Sequence, residues 1–291
     1  MPKSHGRKPA RRPARHPRRR GPGPAAQDAG ARLTGLLEYG DPADPVQVTA
    51  LLPLFLDALA ADHRLPAERC LDDCVVLAHA YAQLGIAAEV RAAELVITSA
   101  ATGQGSMHGS LNPRWQGGLI HGHAVVWLPG LAHLADVTAG QYSQIAAAGH
   151  GPVIAACTLL PGSDTAGDLI QVEVPWDGLL LAYTLAPLAT TAVMLDHPVM
   201  RAEEDGHRRR GMNMASAAVR LLPDFLPADR ARLIPHPRAA ALAEAVRDLP
   251  DHRTPAGDLR FMLPGPEGNP VAARLDEIPL PDRTPPAAEV R

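Results

Sequence analysis

The apolar spacing of this chain changes period across a single glycine, Gly85. Before it, apolar or semi-apolar side chains fall at Cys70, Cys74, Leu77, Tyr81 and Leu84, steps that keep them on one helical face. After it, the run Ala87 to Ile97, with Val90, Leu95, Val96 and Ile97, has the make-up of a strand. Glycine just past the last periodic residue is the usual helix stop. A helix is therefore expected to turn directly into a strand here.

Further elements follow the same reasoning. Val46 to Asp62 is predicted helical, with Leu51, Leu52, Leu54, Phe55, Leu56 and Leu59 packing against the Cys70 helix. Strands are expected at 88–97, 123–128, 132–136, 169–174 and 179–185, and amphipathic helices at Met212 to Leu222 and Ala239 to Leu249. This order predicts an α+β fold with an antiparallel sheet beside the Cys70 helix. The division expected is a disordered basic tail (1–30), a core (31–200), a helical extension (201–250) and a Pro-rich, loosely ordered tail (251–291). The Gly-rich stretch Ser99 to Gly122, carrying His108, Trp115 and His121, is expected to be a surface loop. With 291 residues and 46% hydrophobic content, the chain can bury a substantial core.

Along this framework a cysteine, a histidine and an aspartate occur in order. Cys70 begins the helix, His123 opens the strand His-Ala-Val-Val-Trp-Leu (123–128), and Asp136 ends a second short strand before Val137-Thr138. Thiolate chemistry needs those three roles: a nucleophile, a base and a carboxylate that orients the base. A thiol in a first helical turn faces unpaired N–H groups and the positive end of the helix dipole, which favour thiolate. Each residue also has a plain structural reading. Cysteine packs as a small hydrophobe, a histidine can sit satisfied at a sheet end, and an aspartate can start a turn. Cys74 is expected in the core and Cys157 has no partner motif; His121 competes with His123 for the role of base. Gln141 could stabilise an oxyanion or cap the next segment.

The words Leu84-Gly85-Ile86-Ala87-Ala88-Glu89-Val90, His123-Ala124-Val125-Val126 and Asp136-Val137-Thr138 resemble the transglutaminase-like superfamily. In that family the nucleophile begins a helix about fifteen residues before such a glycine, and Gly85 lies fifteen residues after Cys70 but eleven after Cys74. The resemblance covers roughly residues 45 to 145. It implies a transglutaminase-like core with Cys70, His123 and Asp136 as catalytic triad, and a cysteine peptidase, amidase or acyl transferase acting on a peptide or protein amide. Leader-cleaving processing peptidases with the same order of residues are a related option. The chain departs from the pattern at Ala87 and Val137, where the family has proline, and at Trp127, displaced along the strand.

Two alternatives stand beside this. One is an inactive member of the fold acting as a binding module. The other is a mixed zinc site of Cys70, Cys74, His121 and His123, although no familiar zinc spacing occurs and no metal or cofactor is expected. Neither a dinucleotide fingerprint, a phosphate-binding loop nor a serine elbow is present.

Charge is divided unevenly. Residues 1–27 hold nine Lys or Arg and no acid, leaving 19 basic against 31 acidic residues, a net of −12, in the remainder. The proline-interrupted arginines predict a solvated tail capable of weak polyanion contact. Gly21-Pro22-Gly23-Pro24 follows them instead of an apolar run, and no stretch is apolar enough to span a membrane. A cytoplasmic protein with three reduced thiols is expected.

Overall fold

The computed structural model describes residues 31–36, 43–44, 48–54, 69–147, 152–160, 163, 169–225 and 234–280. The basic tail, the predicted helix positions Phe55, Leu56 and Leu59, and residues 281–291 lie outside the described residues. Two helical stretches, α1 over 31–36 and α2 over 48–54, precede helix α3, Cys70–Gln83. Helix α3 buries Cys70, Leu71, Cys74, Val76, Leu77, Ala80 and Tyr81, so the apolar stripe of the sequence is its inner face. Its end is closed by Gly85 N–H on the Ala82 carbonyl at 3.1 Å and Ile86 N–H on the Tyr81 carbonyl at 3.0 Å.

The chain then enters β1, Glu89–Ser99, and builds an antiparallel sheet around it. In chain order follow β2 (Gly105–Gly109), β3 (Arg114–Gln116), β4 (Leu119–His121), β5 (His123–Leu128) and β6 (His133–Asp136). After helix α4 (Ser143–Ala147) come β7 (Val153–Ala156), β8 (Thr158–Leu159), β9 (Ile170–Trp176) and β10 (Leu179–Leu185). The main sheet has the order β7-β6-β5-β1-β10-β9-β8, with β2 also paired to β1. One edge of β1 is therefore divided: Glu89 to Ala93 pair with β5, and Glu94 to Thr98 with β2. The expected loop 99–122 is thus half strand, since β2 joins the sheet and β3 and β4 form their own hairpin.

Strand alternation feeds two cores. Val90, Ala92, Ala124, Val126 and Leu128 face the helices, whereas Ala93, Leu95, Val125, Trp127 and Leu134 pack on the other side with Ile145 of α4. On the helical side lie α5 (Leu188–Leu195), α6 (Pro198–Phe225) and α7 (Pro237–Val246). Helix α6 is far longer than the predicted 212–222 and crosses α3 at contact distance. A Cβ on Gly211 would lie 2.7 Å from the Val76 carbonyl oxygen and 2.6 Å from His79 Cβ. Nearby, His207 Nε2 and Asp72 Oδ1 are 2.6 Å apart, fastening α6 to the first turn of α3.

The stretch from Asp251, expected to be loosely ordered, instead forms a three-stranded antiparallel sheet of β11 (Asp251–Arg253), β12 (Leu259–Pro264) and β13 (Pro270–Ala273). Its prolines misled because Pro264 and Pro270 face each other at the strand ends, where a missing N–H costs little. Leu259, Phe261, Ala273 and Leu275 enter the helical core. The architecture is α+β, and among the described residues no helix is long and apolar enough to cross a membrane.

Candidate active site

His123 stands at the seam where β2 gives way to β5 along β1, opposite Ala93. The seam requires glycine at 109. Gly109 has φ +77, and a Cβ there would lie 2.3 Å from the Ala93 carbonyl oxygen and 2.8 Å from His123 Cβ. His123 is 1% exposed and Asp136 fully buried, and His123 Nε2 lies 2.7 Å from Asp136 Oδ2. The carboxylate is satisfied twice more: Tyr183 donates from its hydroxyl to Oδ2 at 3.1 Å, and the Thr138 N–H donates to Oδ1 at 3.1 Å.

That arrangement decides the charge of the imidazole. Burial pushes its pKa down, but the Asp136 charge and hydrogen bond push it up, the nearby Cys70 adds in the same direction, and the result is about 10. With Nε2 committed to Asp136, Nδ1 is the nitrogen left for Cys70. Cys70 itself is 6% exposed and is the first residue of α3, where the backbone N–H groups lack helical partners. The structure thus brings together all three residues singled out in the sequence.

The remaining candidates separate from these. Cys74 is fully buried, its thiol donates to the Ala124 carbonyl at 3.3 Å, and burial pushes its pKa far up. Cys157 donates to the Ala155 carbonyl at 3.6 Å and is raised by burial to about 12. His121 is exposed on β4 and belongs to the hairpin, since the chain breaks at Gly122 before β5 begins. Among the described residues, no three His, Cys, Asp or Glu side chains are placed to hold a metal.

Several neighbours were not singled out from the sequence. Tyr142 meets His123 edge-on at 5.4 Å, and His108 of β2 lies against Tyr142 at 4.2 Å. Burial, followed by the His123 charge, pushes the His108 pKa down. Ser106 Oγ holds His108 Nε2 at 2.8 Å and accepts from Gln144 Nε2 at 2.7 Å, tying β2 to α4. Gln141, which the sequence did single out, has its amide nitrogen 3.5 Å from His123 Nδ1 and donates to Thr138 Oγ1 at 3.4 Å. Tyr183 carried no sequence signal beyond strand alternation; only the fold brings it 3.1 Å from a residue 47 positions away.

Comparison of the chain with protein-family models, with curated proteins and with solved structures returns no match.

Proposed function

We propose that this chain is a transglutaminase-like cysteine hydrolase or acyl transferase acting on an amide or peptide bond. One observation carries the reading: a single buried imidazole has Asp136 on Nε2 at 2.7 Å, with Cys70, at a helix start, near enough to favour its protonated form. Cys70 Sγ, its proton passed to His123, attacks the carbonyl carbon, and the departing amine takes that proton as the C–N bond breaks. Asp136 holds the ring by Nε2 and balances the imidazolium. The N–H groups at the start of α3 receive the carbonyl oxygen as it becomes negative. Water or a second amine then resolves the thioester, giving hydrolysis or transfer.

The near-complete burial of Cys70, 6% exposed, favours a second reading, an inactive binding module on the same fold. Iodoacetamide alkylation of each cysteine, mapped by peptide mass across pH in wild type and His123→Ala, separates the two. The enzyme reading expects Cys70 to label fastest below pH 7 and to lose that advantage in the variant. An ordinary thiol profile at Cys70, unchanged by the substitution, selects the binding module.

A further inference from the structure

A pocket of about 600 Å³ adjoins the His123 end of β5, lined by Gly109, Ser110, Asn112, Arg114, His121 and Gly122. Two of these residues border the site directly: Gly122 precedes His123 in the chain, and Gly109 abuts its Cβ. The opposite wall is the β3–β4 hairpin, whose side chains are sorted by alternation. Trp115 and Ile120, paired across the hairpin, pack against the helical core. There Trp115 donates from Nε1 to the Met194 carbonyl at 3.1 Å and stacks on His197 at 4.1 Å. Arg114 and His121, the next pair along, line the pocket instead. The hairpin is thus pinned from behind and presents a cation in front.

That cation is uncommitted. Among the described residues the Arg114 side chain has no ion pair or hydrogen bond, and no acidic side chain lines the pocket. Arg69, Arg91, Arg201, Arg209 and Arg274, by contrast, each sit beside a carboxylate. A guanidinium offers a planar fork of donors matched to a carboxylate. Here it borders a concave surface beside the His123 end of β5, with Asn112 and His121 as further polar groups. Resting on the amide-chemistry reading above, we infer that the pocket selects substrates bearing a carboxylate close to the reacting amide, anchored by Arg114. The carboxylate belongs either to an acidic side chain or to a free C-terminus.

The test measures binding in the full-length protein carrying Cys70→Ala, so that no turnover intervenes. Fluorescein-labelled Ala-Ala-Glu-Ala-Ala amide, Ala-Ala-Gln-Ala-Ala amide and Ala-Ala-Gln-Ala-Ala with a free C-terminus are titrated by fluorescence anisotropy. At least one acidic peptide is expected to bind about tenfold tighter than the neutral amide, a preference that shrinks with added salt. Which acidic peptide gains identifies the source of the carboxylate. Adding Arg114→Gln should bring the three affinities together without weakening the neutral peptide. Equal affinities, absence of binding by all three peptides, or a preference that survives Arg114→Gln would overturn the inference. Wild-type turnover without any charge preference sinks the pocket alone. A charge preference lost in Arg114→Gln, in a protein that cleaves no amide, sinks only the enzyme reading.

Discussion

His123 and Asp73 show how burial acts on single residues of opposite charge type. For His123 the carboxylate of Asp136 outweighs burial, so the ring keeps its proton up to about pH 10. A folded value above the unfolded one of about 6.5 means that this contribution to stability is complete below pH 6.5 and disappears as pH rises through about 10. Turnover that needs the imidazolium to protonate a leaving amine should fall over the same alkaline range, and a pH profile of kcat/KM measures it. Asp136→Asn removes the charge that raises the ring, so the alkaline limb should move to lower pH and the rate fall about 10²–10⁴-fold. For Asp73 burial outweighs Arg69, 3.9 Å away, and the smaller help of Arg210 and His207, so its pKa rises to about 6. Its native state binds the proton more tightly than the unfolded chain does, so stability declines between about pH 4 and pH 6 and stays reduced above. Asp73→Asn is expected to gain about 2–3 kcal/mol at pH 8 and little at pH 4, as read by urea unfolding.

At the scale of elements, the seam between β2 and β5 sets the position of the imidazole. Gly109→Ala would drive a methyl group into the Ala93 carbonyl and the His123 side chain. The expected outcome is a loss of about 1–3 kcal/mol together with slower Cys70 alkylation, whereas a purely structural role for the seam would lower the melting temperature alone. The helix α3 and the strands β1, β5, β6, β9 and β10 were legible in the sequence because local periodicity carries them, whereas Cys70, His123 and Asp136 were singled out by a family resemblance and not by periodicity. The strand β2 was not: Gly105-Ser-Met-His-Gly109 has no β-branched residue and is a strand only through its pairing with β1. The first half of α6 was hidden in the same way, by a charged run containing Gly206 and Gly211, since the latter serves the crossing with α3 rather than the helix itself. Tertiary partners decided these elements, and their local composition did not reveal them.

For the whole molecule, one sheet separates two cores, and the helical one continues into residues 259–278. The three-stranded C-terminal sheet is therefore part of what holds α6 and α7. Phe261, fully buried, should cost about 3–5 kcal/mol when replaced by alanine. The loss should appear as one cooperative transition by both circular dichroism and tryptophan fluorescence if the two cores unfold together. The divided edge of β1 has another consequence. Because β2 and β5 both lie along the same neighbour, the chain between them, residues 110–122, leaves and returns at almost one point. An excursion with adjacent ends can be lengthened, shortened or exchanged while the imidazole and its carboxylate stay where they are. On the proposed amide chemistry, recognition and bond chemistry would then diversify independently, and a different hairpin grafted between Gly109 and His123 would change what is bound while His123 and Asp136 stay in place.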